Sequence, residues 1–132
     1  MTDELKLIID RVAQYFPGCY VSDTLPPSTS LEAKLPIIQI VDLPGGDWLT
    51  PWQAGQGPLI SVFACDIYIF GTKRSETRAL AENVQRVLWR LAGDPFVGVT
   101  KVVTESGFSR ATDWNPRVLR EHGEFSIHVR RI

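Results

Sequence analysis

The sequence predicts an α+β fold: a mostly antiparallel sheet of about four to five strands packed with two amphipathic helices. Two stretches carry apolar residues at helical spacing, Leu5, Ile8, Ile9, Val12 and Phe16 near the start and Leu80, Val84, Val87, Leu88 and Leu91 further on. Around them lie runs rich in β-branched and aromatic residues. The last such run alternates strictly, with Phe125, Ile127 and Val129 facing one way and Glu124, Ser126, His128 and Arg130 the other. At 132 residues the chain is long enough for one hydrophobic core but not for two, so 1–132 is read as a single domain.

The first helix is predicted over Asp3 to Phe16, with Thr2 as N-cap and Asp3 and Glu4 near the positive end of its dipole. Pro17-Gly18 stops it. Cys19-Tyr20-Val21 can form a short strand, and Ser22 to Ala33, with Pro26-Pro27, reads as a loop. Leu35 to Leu43 is a strand with Pro36 at its start, where a missing N–H does least damage. The glycines and prolines of Pro44 to Gly57 argue against any regular element there.

Pro58 to Phe70 is a long strand apolar on both faces, interrupted only by Ser61 and Asp66. Such a strand is central and needs cover above and below. In so short a chain the second cover can be another helix or a neighbouring subunit. The second helix follows, with Thr72 or Ser75 as N-cap and Gly93 as its C-cap glycine before Pro95. Its outer face carries Arg74, Arg78, Glu82, Gln85, Arg86 and Arg90, with Glu82 placed to pair with Arg86. Phe96 to Glu105 is a strand, and Ser106 to Val118 a polar segment broken by Gly107 and Pro116. The final strand begins near Arg120.

Composition narrows the function classes. Apolar residues make up 44% and charged residues 22%, ordinary for a globular protein. A formal net charge of -1 is unlike the strongly basic footprint of a dedicated nucleic-acid binder. No apolar run reaches the ~20 residues that span a bilayer, so no membrane partner is expected. The acidic start Met1-Thr2-Asp3-Glu4 is unlike a basic secretory leader. Cys19 and Cys65 are distant in sequence and read as free thiols.

A search for chemistry returns no catalytic motif. A G-x-S-x-G elbow is absent, and the glycine-rich stretch from Gly45 to Gly57 lacks the lysine and following helix of a phosphate loop. His122 and His128 can share a strand face, but six extended residues separate them by about 20 Å, too far for one metal ion. Asp66 is the best single candidate for a perturbed carboxylate, with a solvated gap or an arginine as its expected surroundings. No catalytic residue, metal ligand or cofactor is therefore assigned, and the chain reads as a non-enzyme. The candidate contact residues for a subunit or partner are Trp48 and Trp52, two indoles in a loop, and Phe108 and Trp114 in the later polar segment.

The order of elements has a likeness. An N-terminal helix leads to a strand ending in Gly-Gly (Pro36 to Gly46), then to Ile67-Tyr68-Ile69-Phe70-Gly71-Thr72-Lys73 and the helix around Ala79-Leu80-Ala81-Glu82-Asn83-Val84. Trp114-Asn115-Pro116 and the strand Phe125 to Arg130 close the chain. The sequence resembles the tail terminator (tail completion) proteins of long-tailed bacteriophages, particularly those infecting actinobacteria. The resemblance implies a structural virion protein, assembled in the host cytoplasm, that forms a hexameric ring with copies of itself. Its implied partners are the tail tube protein below and a head-closure or neck protein above. DNA would only pass through the channel. A head-closure or other neck-ring protein is the nearest alternative, and a small-molecule-binding or enzymatic domain a more distant one.

Overall fold

Both stretches at helical spacing fold as helices in the computed structural model, which describes residues 4–27, 29–43, 48–49, 60–94, 98–111 and 117–130. Helix α1 spans Glu4–Tyr15 and buries Ile8 and Val12, with Leu5, Ile9 and Phe16 packed at the margin. The expected cap Thr2 lies outside the described residues. Helix α2 spans Arg74–Leu91 and buries Thr77, Ala81, Val84, Val87, Leu88 and Leu91; Leu80, expected in that stripe, is half-buried beside it.

Three local expectations for α2 are corrected. The N-cap is Lys73 rather than Thr72 or Ser75, and no side chain caps the first turn. Gly93 does not take the left-handed cap conformation: Ala92 is right-handed, and Gly93 and Asp94 donate their N–H groups to the carbonyls of Arg90 and Leu91. This tightened last turn satisfies end carbonyls that a glycine cap would otherwise serve. Glu82 approaches Arg78 at 4.0 Å rather than pairing with Arg86, whose guanidinium turns to Asn83.

Strands β1 (Tyr20–Ser22), β2 (Ile37–Asp42), β3 (Trp48–Leu49), β4 (Ile60–Gly71), β5 (Val99–Arg110) and β6 (Leu119–Arg130) form one sheet. Five follow the order β1-β2-β4-β6-β5, and the two-residue β3 pairs with β4 through Trp48↔Ser61 and Leu49↔Ile60. Only β1 and β2 pair in parallel; the other ladders are antiparallel. The fold class is α+β, as the periodicities predict. Two boundaries move. A short strand exists at Trp48–Leu49 where a loop was expected, because two residues suffice to extend a ladder already templated by β4. Strand β5 continues through Gly107 to Arg110, with register shifts along Val99–Ser109 that absorb its irregular composition.

Strand β4 is central, flanked by β2 and β6. Strands β4 and β5 are each antiparallel to β6 and so run in the same direction, with α2 as the crossover between them. This split β-α-β arrangement puts α2 on one face of the sheet. Helix α1 joins it there, and the main core lies between: Ile8, Val12, Ile38, Ile40, Cys65, Ile67, Ile69, Val84, Leu88, Leu91, Phe125 and Ile127 belong to one cluster. An ion pair from Arg11 Nε to the buried Asp94 carboxylate, 2.6 Å, ties α1 to the end of α2. Both cysteines are free; Cys65 is buried in the core and Cys19 half-buried. Among the described residues, no helix is long and apolar enough to cross a membrane.

Candidate assembly surface

Because both helices lie on one side, the other face of β4 has to find its cover elsewhere. Directly opposed residues of paired strands share a face. The register therefore gathers Ala64, Asp66, Tyr68 and Phe70 of β4 with Ser126, Glu124, His122 and Arg120 of β6, and with Val41, Gln39 and Ile37 of β2. One end of this face is closed by a second cluster, in which Leu31 packs on Ile37, Phe70 and Val118, with Tyr20, Leu25, Leu35 and Tyr68 at its rim. Leu25 and Leu31 come from the connection between β1 and β2. Past that cluster, Gln39, Val41, Ala64, Asp66, His122, Glu124, Ser126 and His128 are all half-buried.

The middle of this face is a chain of polar contacts. His122 Nε2 lies 2.8 Å from Asp66 Oδ1, and the imidazole stacks on the Tyr68 ring with centroids 4.8 Å apart. The Arg120 guanidinium stands 5.3 Å from the centroid of the same tyrosine. Asp66, for which a solvated gap or an arginine was expected, keeps partial exposure and pairs with a histidine. Directly opposite Asp66 is Glu124, a like charge at close cross-strand range, an arrangement unfavourable in an isolated sheet. His122 beside Asp66 offsets part of that repulsion. Behind the sheet the same carboxylates act on Cys65: burial first, then the charges of Asp66, Asp42 and Glu124, push its thiol up to about 12. Burial also raises the Cys19 thiol.

An Asp–His pair is part of a hydrolytic constellation, which further requires a nucleophile at hydrogen-bond distance. Among the described residues, His122 meets the Asp66 carboxylate, and no group of three or more His, Cys, Asp or Glu side chains is arranged to hold a metal ion. The arrangement is a polar, aromatic strip on a sheet face.

The four contact residues expected from sequence separate. Trp48 sits in β3, with its backbone on the ladder beside Ser61. Trp52 and Trp114 lie outside the described residues. Phe108 is corrected: it is 7% exposed, belongs to the main core, and packs on Phe125 at a centroid distance of 5.4 Å. Gly123 explains the fit, since a Cβ there would stand 3.0 Å from the Phe108 ring and 2.9 Å from that of Phe125. A glycine inside an alternating strand was the available signal for such a close approach. Sequence reasoning passed over Trp89, which is 51% exposed on α2 and donates its indole N–H to Thr104 Oγ1 of β5 at 3.2 Å. Its position outside the apolar stripe of α2 marked it as a surface indole.

No protein-family model matches the chain, and no curated protein matches it.

Proposed function

We propose that this protein is a structural component of a bacteriophage tail, forming a ring of identical subunits that caps the head-proximal end of the tail tube and joins it to the neck. The ring ends tube polymerisation and leaves a channel for DNA. The observation that carries the assembly part of this reading is the uneven cover of β4, enclosed by two helices on one face and half-buried on the other past the Leu31 cluster. A neighbouring subunit is a natural cover for a central strand in a chain of this size. The strip from Arg120 through Tyr68 and His122 to Asp66 supplies the polar contacts that such an interface uses for specificity. The choice of a tail ring among assemblies rests on the order of elements and motifs from Pro36-Ile37 to the closing strand. A ring repeats one heterologous interface, so each subunit offers two different patches. The half-covered sheet face is one, and the segment holding Trp48 and Trp52 is the other.

The test is the mass of the purified protein in solution together with electron microscopy of the protein mixed with tail tubes. Six-membered rings seated at one tube end are expected. A stable monomer that never joins tubes overturns the proposal.

A further inference from the structure

Strand β5 ends the sheet order, and among the described residues its one ladder is with β6. Its outer edge therefore presents backbone N–H and C=O groups to no partner strand. Native sheets blunt such edges with short strands or bulges. The other edge strand, β1, follows that rule with 3 residues, whereas β5 has 12. Register shifts break β5 before Lys101 and after Thr104, but Lys101-Val102-Val103-Thr104 pairs without interruption with His128, Ile127, Ser126 and Phe125. Val102, Val103 and Thr104 are β-branched and half-buried, and Lys101 is exposed. Val102 and Thr104 face the helices with Ile127 and Phe125, so Lys101 and Val103 face the opposite side. On the helix side Trp89 stands beside this run, 51% exposed and pinned by its indole N–H to Thr104 Oγ1 at 3.2 Å. Arg86 and Arg90 are exposed next to it on α2. Among the described residues, none of Arg86, Arg90 and Lys101 has a carboxylate partner. Glu105, the acidic residue of β5, lies past the regular run.

We propose that this edge takes an added strand from a partner protein, an extended segment that alternates apolar and acidic residues. Each feature of the edge specifies one feature of the occupant. Unpaired backbone along a regular run calls for another backbone, held by main-chain hydrogen bonds as a new outer strand. The exposed indole calls for apolar side chains on the helix side, because a ring already fixed by a hydrogen bond loses little freedom on contact. Lys101 calls for a carboxylate directly across on the opposite side, and Arg86 and Arg90 favour the same sign of charge. A second copy of this chain fits less well. Another β5 brings like charge at Lys101, and the three-residue β1 is too short to cover the run. The edge is separate from the two patches assigned to neighbouring subunits.

The probe is a fluorescent peptide, acetyl-Glu-Val-Glu-Val-Glu-amide, titrated by anisotropy into the intact protein at low salt. Amide hydrogen–deuterium exchange is followed on the same mixtures. Saturable binding is expected, with exchange of the outward amides of 101–104 slowed at least tenfold. Lys101→Glu and Trp89→Ala, two exposed positions whose variants keep the native circular dichroism, each weaken binding at least tenfold. Absence of saturable binding overturns the proposal, as does binding unchanged in either variant. Binding that leaves exchange over 101–104 untouched places the peptide elsewhere and overturns strand addition. Equal or tighter binding of acetyl-Lys-Val-Lys-Val-Lys-amide overturns the acidic assignment. Amides of 101–104 that are slow in the free protein and become fast on dilution give the edge to a second copy and overturn the partner. Ring formation is scored separately on the Lys101→Glu protein. Rings equal to those of the native chain are expected, and their loss makes this edge a subunit contact and overturns the partner assignment.

Discussion

On the helix side of β4, Cys65, Ile67 and Ile69 are fully enclosed; one residue away along the same strand, Ala64, Asp66 and Tyr68 are only half-buried. The first face is closed by α1 and α2, and its core also takes apolar side chains from β1, β2, β5 and β6. Among the described residues the second is closed at one end, by Leu31 and its neighbours, and then turns polar and aromatic. The backbone ladder is common to both, so hydrogen bonding cannot account for the difference. What differs is the supply of covering elements: the crossover geometry sends α2 to one face and α1 follows it, while among the described residues the other face is roofed by the connection between β1 and β2. The covered face supplies stability, at about 2 kcal/mol for each fully buried isoleucine. The open face is where contact with another molecule can be gained without dismantling the core.

The strongest way to break this contrast is to cut into each face in turn. Phe125→Ala removes a fully buried ring that packs on Phe108, and a loss of about 3–5 kcal/mol is expected in urea unfolding. Val41→Ala, on the open face of β2, is expected to cost about 1 kcal/mol or less. Similar losses for the two would mean that both faces are equally enclosed. A subtler probe of the covered side is Gly123→Ala. Its Cβ would press on the rings of Phe125 and Phe108, and an overpacking cost of about 1–3 kcal/mol is expected from the same measurement.

Enclosure also has a pH signature. The Cys65 thiol is pushed from an ordinary 9.0 up to about 12, chiefly by burial. Its folded value lies above its unfolded one, so the neutral thiol's contribution is fully present below about pH 9. That contribution is lost as pH rises from there towards 12. In this window each pH unit lowers stability by about 1.4 kcal/mol for this one group. Unfolding midpoints followed from pH 8 to pH 10.5 should fall more steeply in the native protein than in Cys65→Ala. Parallel slopes would show that Cys65 is open to water.

Much of the covered face could be read from periodicity. The stripe from Val84 to Leu91 and the alternation of Phe125, Ile127 and Val129 are direct consequences of 3.6- and 2-residue repeats, and the core contains these residues. Pairing partners were not readable, because registers such as Tyr68↔His122 join residues 54 positions apart and no local pattern encodes them. For the same reason the sequence offered Asp66 a solvated gap or an arginine, and His122 was not among its expected neighbours. Phe108 was misplaced because its segment looks polar; only the space over Gly123 pulls it inward. The α2 caps failed for a different reason. Thr72 and Ser75 are good capping residues by type, but Thr77, inside the helix, directs its hydroxyl back to the Lys73 carbonyl, and the helix begins at Arg74 without a side-chain cap.

The smallest expected effect on stability carries the most information about the open face. Asp66 and His122 touch at 2.8 Å but both keep solvent contact, so screening limits what the pair contributes. Asp66→Asn and His122→Ala are each expected to shift unfolding by about 1 kcal/mol or less. Asp66→Asn also removes the like-charge opposition to Glu124, which offsets part of the loss. If the face receives a neighbouring subunit, the same variants lower the fraction of rings seen by mass photometry while leaving the monomer folded. That separation of effects is the signature of a contact surface. Variants that unfold the monomer would make the strip part of the core, and rings that persist undiminished would move the subunit contact away from this face.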